Sequence, residues 1–221
     1  MSLNACRHAD FRDDQKEPSV EPLTDIHIRK IMASETQAFC EHLLRLDPDN
    51  RRMRFAHAVS DSFIRDYADR MCDLGSIIYG GFDTKGALRA AAELRKLGPD
   101  WNRSAETAFS VETPYQARGL GTLLMGRVIR AARNRGVQHL YMSCLAENAP
   151  MQTIAKKHSA SLRFEYGEVV GDIIPEHADL FSQFGEAVED RVGFLLAVID
   201  LDRRRKGQIE NAQETGAKLR H

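Results

Sequence analysis

The chain has 221 residues, of which 43% are apolar and 29% are charged, and its formal net charge is -1. This composition is typical of a globular protein and argues against a nucleic-acid-binding protein, which would carry a basic surplus. No apolar run approaches the ~20 residues of a membrane span, and acidic residues stand near the start where a secretory signal would need an apolar core, so we expect a cytoplasmic protein without membrane contact. The four cysteines have wide, irregular spacing and the histidines show no ligand spacing, so neither a disulfide framework nor a metal site is expected.

The N-terminal part predicts an arm, a strand and two helices. Residues 1–24 are polar and mixed in charge, which predicts a flexible arm. The segment DIHIRKI (25–31) fits a strand. An apolar stripe over 39–44 predicts a helix that Pro48 ends, and residues 61–72 predict a second helix.

The middle of the chain predicts alternating strands and helices. Residues 76–97 fit two strands around a turn, although the alanine-rich second half would also suit a helix. AETAFSV (105–111) predicts a strand, and after a glycine-containing loop comes a long amphipathic helix that Gly136 ends. HLYMSCL (139–145) predicts another strand.

The C-terminal part begins with a short helix and a strand. Asn148 is predicted to cap the helix, and LRFEYGEVV (162–170) predicts a single strand. For residues 175–206 a helix is favoured, whereas VGFLLAVID (192–200) alone would also fit a buried strand, and both readings remain open. The polar residues 207–221 predict a flexible tail.

The loop before the long helix carries a specific chemical signal. Gly119 and Gly121 remove side chains that would block access to the N-terminus of the helix. The first turn of a helix has about four unpaired N–H donors and about half a positive charge, so this loop predicts a pyrophosphate site, to which Arg118 can add a cation. The loop lacks both the P-loop pattern and the dinucleotide-binding pattern.

The arrangement Gln116-x-x-Gly119-x-Gly121 after a strand resembles the acyl-CoA-binding signature [QR]-x-x-G-x-[GA] of the GNAT superfamily of N-acetyltransferases. The order of elements over residues 25–170 is similar to that of the family, and AENAPMQTIAKKHS resembles its second signature, in which an Asn opens a helix. More narrowly, LDPDNRRMRF, AETAFSV and LAENAPM resemble bacterial protein-lysine acetyltransferase domains.

The resemblance implies an α/β (α+β) fold, with a mixed, mostly antiparallel sheet flanked by helices. It divides the chain into an acetyltransferase domain at 25–174, a helical C-terminal extension at 175–206 and the tail at 207–221. It also implies acetyl-CoA as the cosubstrate.

The resemblance further implies which residues meet the cofactor. The residues expected to contact the pyrophosphate and its surroundings are Gln116, Ala117, Arg118, Gly119, Leu120, Gly121, Thr122 and Asn148. The pantetheine arm runs beside Phe109, Ser110 and Val111, whose backbone would bind it as an added strand and polarise the thioester carbonyl.

Acetyl transfer to an amine requires a group that accepts a proton, because a lysine amine with a pKa of ~10.4 is protonated at neutral pH. Glu106 lies ~16 Å along the strand from Val111, which suits the acyl end of the cofactor. Glu112, in contrast, would repel the phosphates. The enzymes that the chain resembles use a glutamate at the position of Glu106, which we therefore predict to be the general base, directly or through a water. Deprotonation by solvent remains open.

The sequence departs from the family at the expected general acid. Ala155 occupies the place of a tyrosine that often protonates the thiolate, and Ser159 and Ala160 replace a glycine–aromatic pair. Either the thiolate leaves without assistance, because it is a weak base, or Tyr141, Ser143 or a water protonates it, and no acid is assigned.

Two functions follow from these patterns. The first is an acetyl-CoA-dependent N-acetyltransferase that acts on an amine of a protein or a small molecule, and the alternative is a non-catalytic acyl-CoA-binding regulatory module. The apolar stretch 180–199 predicts either a homodimer contact or packing against its own domain.

Overall fold

The computed structural model describes residues 25–73, 75–101, 103–176 and 178–218, so the arm predicted at 1–24 lies outside the described residues. Seven strands form one sheet in the order β1-β2-β3-β4-β5-β7-β6. All neighbouring strands are antiparallel except β4 and β5, which run parallel. The strands are β1 Ile26–Lys30, β2 Ile77–Asp83, β3 Leu88–Lys96, β4 Ser104–Val111, β5 His139–Leu145, β6 Ser161–Glu165 and β7 Glu168–Ile173.

Helices cover both faces of the sheet. They are α1 Thr36–Arg45, α2 Pro48–Phe55, α3 Asp61–Asp73, α4 Leu120–Asn134, α5 Ala149–Lys157 and α6 Leu180–Lys218. One core lies between the sheet and α4 with α5, where Leu124 and Val128 are fully buried. A second core lies between the sheet and α1 with α3, centred on Phe39, Leu43 and Ile64. The predicted α/β class, with a mostly antiparallel sheet flanked by helices, is confirmed.

The sequence interpretation missed helix α2. Pro48 was interpreted as a residue that ends a helix, whereas it occupies the first turn of α2. Asp47 caps that helix, because its carboxylate accepts a hydrogen bond from the N–H of Asn50 at 2.9 Å. Proline is tolerated in a first turn because the N–H that it lacks would be unpaired there.

The second of the two strands predicted over residues 76–97 is confirmed as β3, and the helix that its alanine-rich sequence would also suit does not form. Its buried alanines let helices approach the sheet closely. One strand prediction was wrong. The single strand predicted at 162–170 is the hairpin of β6 and β7. Its turn is made by Tyr166 and Gly167, which both have positive φ (50° and 89°), as a tight hairpin turn requires.

The open question over residues 192–200 is settled in favour of helix, because they lie within α6. The helix also passes the predicted start of a tail at 207 and ends at Lys218. The division at residue 174 between an acetyltransferase domain and its extension stays a prediction. Across the described part of the chain, no helix has the length and apolar character that a bilayer crossing requires.

Candidate active site

The sheet opens between its two parallel strands. β4 and β5 pair only from Ser104 with His139 to Thr107 with Met142. Beyond this point β4 stays paired with β3 as far as Val111, and β5 stays paired with β7 as far as Leu145. The C-terminal halves of the two parallel strands therefore diverge and leave one edge of β4 available for an extended ligand.

The glycine loop lies at the wide end of this opening. It follows a short 3-10 turn, Thr113–Tyr115, and its backbone reaches the left-handed region at Ala117 (φ 57°) and again at Gly119 (φ 81°), the residue that precedes α4. The N–H of Leu123 bonds to the carbonyl oxygen of Gly119 at 3.1 Å, so the N–H groups of the preceding turn point out of the helix end. A Cβ on Gly119 would meet no atom within 4 Å. The loop is thus an open, bare donor cradle, which fits a diphosphate.

Gln116 and Arg118 have partners within the protein. The side-chain amide of Gln116 donates to the carbonyl oxygen of Val111 at 2.9 Å and to the side chain of Asn50 at 2.8 Å, and so ties the loop to β4 and α2. The guanidinium of Arg118 forms an ion pair with Asp25 at 2.6 Å. Gln116 therefore positions the loop, and Arg118 would have to exchange or share its carboxylate partner to contact a phosphate.

The other predicted loop residues offer mainly backbone. The side chain of Leu120 is buried in the core, and Gly121 lies against α5, where an added Cβ would be 2.7 Å from Ile154. The carbonyl oxygen of Thr122 accepts a hydrogen bond from the ring of His158 at 3.2 Å. Asn148 caps α5, as predicted, by accepting from the N–H of Met151 at 3.1 Å.

The side chains of the predicted pantetheine strand are occupied. Phe109 and Val111 pack against the α4 core. Ser110 is buried on the opposite face, with its hydroxyl 2.9 Å from Nε2 of His42, and Nδ1 of the same ring is 3.1 Å from Glu112. The backbone of these three strand residues can therefore offer its hydrogen-bonding groups to a ligand, as β-augmentation requires.

The neighbourhood of Glu112 corrects the expectation that its charge would repel phosphates. Its carboxylate accepts hydrogen bonds from Arg45 and Arg89, both at 2.9 Å, besides the one from His42. Burial would raise the pKa of Glu112, but His42 and Arg45 outweigh it, so the pKa lies below its usual value. Two arginines neutralise this charge within the protein.

His42 is fully buried, and burial lowers its pKa despite the opposing effect of Glu112. The imidazole is therefore neutral, and because a carboxylate only accepts, Nδ1 carries the proton and Nε2 accepts from the Ser110 hydroxyl. The three residues have the order of a nucleophile–base–acid triad. Ser110 is only 6% exposed and faces α1, so the network fixes β4 and offers no nucleophile to the opening.

A cavity of about 260 Å³ lies where β4 and β5 begin to diverge. Residues from α2, α3, β3, β4, β5 and β7 line it, among them Arg54, Tyr67, Glu93, Arg95, Glu106 and Glu168. It is large enough for the end of an aliphatic amine side chain, and it contains the predicted base. The narrow end of the strand opening and the cavity thus meet at Glu106, Thr107 and Ala108.

Glu106 forms an ion pair with Arg95 on the neighbouring strand. The two residues face each other in the register of β3 and β4. Their side chains are 32% and 42% exposed, so water screens the pair and its contribution to stability is small. The carboxylate therefore remains accessible from the cavity, although it has a cationic partner that must be displaced or shared.

Sequence reasoning missed a buried group beside the predicted base. The Tyr67 hydroxyl donates to Glu93 at 2.6 Å, and Arg54 bonds to both of them. Burial raises the pKa of Tyr67, and the charge of Glu93 adds to this shift. Arg54 lies on α2, which the sequence interpretation had not assigned, and the pairs with Tyr67 and Glu93 span 13 and 39 residues, so no local pattern revealed them.

The other candidates for proton transfer occupy different positions. Ser143 lines the cavity and donates to Glu168 at 2.5 Å. Tyr141 stacks on His139 and is absent from the cavity lining. Cys144 also lines the cavity, but burial raises its pKa to about 11, which makes it a packing residue and not a thiolate nucleophile. Ala155 is fully buried.

Within the part of the chain that the structure describes, no group of three or more His, Cys, Asp or Glu side chains could hold a metal ion.

The sequence matches the family model described as Acetyltransferase (GNAT) family over residues 37–159, which is more than half of the chain. The chain belongs to the GNAT acetyltransferase family. Acetyltransferase Pat of Mycolicibacterium smegmatis is 32% identical over 114 residues, a region that covers 47% of this chain and 34% of that relative. This GNAT chain therefore matches about a third of the length of its curated relative.

Two solved structures show the same fold. The GNAT domain of S. lividans PAT has a TM-score of 0.58 at 17% identity, and the match covers 67% of this chain and 90% of that domain. The structure of yncA from Salmonella typhimurium with its cofactor acetyl-CoA has a TM-score of 0.52 at 15% identity, and the match covers 70% of this chain and 97% of that chain. At these identities the likeness concerns the fold of this GNAT chain.

Proposed function

We propose that this GNAT chain is an acetyl-CoA-dependent N-acetyltransferase that transfers an acetyl group to an amine by direct attack on the thioester. One observation carries this proposal. The opening between strands β4 and β5 connects the bare N-terminus of helix α4, at one end, with a cavity lined by carboxylates, at the other. Such a path can hold a long thioester with its phosphates outside and its reactive end beside an acceptor.

The cofactor-binding residues divide into backbone and side-chain contributors. Backbone N–H groups from Gly119 to Thr122 would bind the diphosphate, and the turn at Ala117 aims the loop toward it. The backbone of Phe109, Ser110 and Val111 would bind the pantetheine arm. When bound, acetyl-CoA supplies an activated acyl group. An N–H of β4 would then stabilise the negative charge that develops on the carbonyl oxygen.

Glu106 is proposed as the general base, which accepts the proton of the attacking amine directly or through a water. It is the partly exposed carboxylate of β4 in the cavity, and it lies at the point where the two parallel strands part. Arg95 holds the carboxylate in place. No general acid is assigned, and Ser143, Tyr141 or a water remain the alternatives.

A non-catalytic acyl-CoA-binding module remains the second candidate. It is favoured by Ala155, which is buried where many members of the family have a tyrosine. It is also favoured by the ion pair between Glu106 and Arg95, because a general base must accept a proton and this carboxylate already has a cationic partner.

Thiol release from acetyl-CoA, measured with a panel of primary amines, separates the two candidates. We expect turnover by the wild-type protein and a decrease of kcat by roughly 10²-fold or more in Glu106→Gln, with unchanged affinity for CoA. Glu168→Gln is the matched control, because it neutralises another carboxylate of the same cavity. Binding of CoA without thiol release under any acceptor would favour the module, and equal rates in both variants would remove Glu106 from the mechanism.

The acceptor is proposed to be an amine of a protein or a small molecule. The cavity carries three carboxylates, Glu93, Glu106 and Glu168, against two arginines, which favours a cationic group. We also propose that the chain forms a homodimer through its C-terminal helix.

A further inference from the structure

The side of α6 that faces away from the domain is apolar. Ten large apolar side chains between Leu180 and Leu201 are more than 40% exposed, and Phe181 reaches 89%. Seven residues along this side are spaced alternately by three and four residues, and they are Phe181, Phe184, Val188, Arg191, Leu195, Val198 and Asp202. We name these seven residues the outer seam. Their spacing is the heptad repeat of a helix that packs against another helix.

The opposite side of α6 is polar and already has partners. Glu186 forms ion pairs with Lys30 at 2.7 Å and Arg135 at 2.9 Å. Asp200, which is fully buried, forms an ion pair with Arg29 at 2.9 Å. Helix α6 therefore cannot rotate to bury its outer seam against its own domain without leaving these buried charges unpaired, which is costly.

We propose that the outer seam binds the outer seam of a second copy of this chain in an antiparallel helix pair. Two charged residues in the seam decide the orientation. In a parallel pair equivalent positions meet, so Arg191 would face the partner's Arg191 and Asp202 the partner's Asp202. In an antiparallel pair centred between residues 196 and 197, Arg191 of each copy faces the partner's Asp202.

The same register pairs apolar residues at the centre of the seam. Leu195 faces the partner's Val198 at the centre of the pair, so the two ion pairs flank an apolar middle. Phe181 and Phe184 then lie along the partner's α6 beyond residue 206, which exists because the helix continues to Lys218. Asp202 pairs with Lys206 of its own helix, but both side chains are largely exposed (61% and 70%), so Asp202 is accessible to a partner.

The length and charge of the helix favour a second copy over a bilayer surface. The outer seam spans about six turns, or roughly 32 Å, which is the diameter of a small domain. Helices that lie on membranes carry Lys and Arg on their polar side. The polar side of α6 instead carries Glu186, Glu189 and Asp200, and these carboxylates are held by arginines and lysines of the domain.

The test is the mass of the full chain in solution, measured by sedimentation equilibrium over a range of concentrations. We expect a dimer, and Leu195→Glu should raise the dimer dissociation constant roughly tenfold or more. Leu97→Glu is the matched control, because Leu97 is also exposed (47%) but lies outside α6. Circular dichroism and thermal unfolding check that each variant remains folded.

Charge exchange tests the antiparallel register. Arg191→Asp and Asp202→Arg should each weaken the dimer, because like charges then face each other, and the double variant Arg191→Asp/Asp202→Arg should restore it. A wild-type chain that stays monomeric at all concentrations would overturn the proposal, whether or not it binds vesicles or another protein. A dimer that Leu195→Glu leaves intact, or that the double variant fails to restore, would overturn it as well. This proposal deepens the proposed homodimer, and none of these outcomes depends on acetyl transfer, so the dimer proposal and the proposed acetyltransferase activity fail separately.

Discussion

Glu93 and Glu106 both line the cavity, but their surroundings give them different chemistry. The side chain of Glu93 is 3% exposed and is bonded to Arg54 and Tyr67. That of Glu106 is 32% exposed and shares a screened ion pair. A base must reach the acceptor amine, so Glu106 is the better candidate, and Glu93 completes the wall of the cavity.

The role of Glu93 can be tested by stability. Glu93→Gln leaves the buried guanidinium of Arg54 without a counter-charge, so we expect a loss of about 3–5 kcal/mol in the free energy of unfolding. Tyr67→Phe removes one hydrogen bond to a charged group and should cost less, about 1.5–3 kcal/mol. Urea denaturation measures both, and an unchanged midpoint in Glu93→Gln would contradict the assignment.

The sequence revealed the backbone part of the site better than the partners of its side chains. The glycine spacing located the bare loop before α4. Spacing could not show that Ser110 bonds to His42, that Arg118 pairs with Asp25 or that Gln116 reaches Asn50. Each of these pairs spans 66 to 93 residues and exists only once the sheet has formed.

At the scale of elements, α6 is attached through charges. Its inward side places Ser182, Glu186, Gly193 and Asp200 against β1 and α4. Gly193 permits close approach, because an added Cβ would lie 3.2 Å from the side chain of Arg29. Attachment by carboxylates makes the contact sensitive to pH, unlike attachment by apolar side chains.

The pH dependence of the contact between α6 and the rest of the domain follows from the titration of Glu186. Burial would raise its pKa, but the hydrogen bonds from Lys30 and Asn134, together with the charge of Arg135, lower it from 4.5 to about 2. Because the pKa of Glu186 is lower in the folded protein than in the unfolded chain, the ionised carboxylate stabilises the fold above about pH 4.5. This stabilisation is lost as the pH falls toward 2.

Glu186→Gln should therefore be less stable than the wild type at pH 7, and the difference should shrink between about pH 4.5 and 2. Thermal unfolding at several pH values measures this difference. Gln183→Glu, at an exposed position of the same helix, is a control for altered charge alone. A difference that stays constant with pH would show that Glu186 does not titrate with the contact.

The elements themselves were largely predictable, and the failures have physical causes. The long, strongly periodic helix α4 was predicted correctly. Helix α2 was missed because a proline has opposite meanings in the middle of a helix and in its first turn, and only the Asp47 cap distinguishes them. The hairpin of β6 and β7 was interpreted as one strand because a tyrosine at positive φ is an unusual turn residue.

At the scale of the whole molecule, the C-terminal helix is part of the fold. The family match ends at residue 159, which alone would suggest that α6 is an appendage. Yet Asp200 bonds to Arg29, and Arg204 bonds to Glu35 and to the carbonyl oxygen of Gly86 in the turn between β2 and β3. Helix α6 thereby holds strand β1 against the rest of the domain.

Removal of residues 180–218 should consequently destabilise the rest of the chain. The Arg29 side chain, 1% exposed in the full chain, would lose Asp200, and we expect a loss of several kcal/mol in the free energy of unfolding. Urea denaturation measures it, with Leu195→Glu as the comparison, because that variant removes the proposed dimer contact and keeps the inward side. A truncated chain as stable as this variant would show that α6 is only an appendage.

The central claim is that the bare loop before α4 binds the diphosphate of coenzyme A, and calorimetric titration of CoA tests it most directly. Gly119→Asn keeps a residue that tolerates positive φ but fills the cradle, whereas Gly136→Asn makes the same change at φ 71° beyond the other end of the same helix. We expect binding by the wild type and by Gly136→Asn, and a large loss of affinity in Gly119→Asn. Absence of binding by the wild type, or equal affinity in all three proteins, would contradict it.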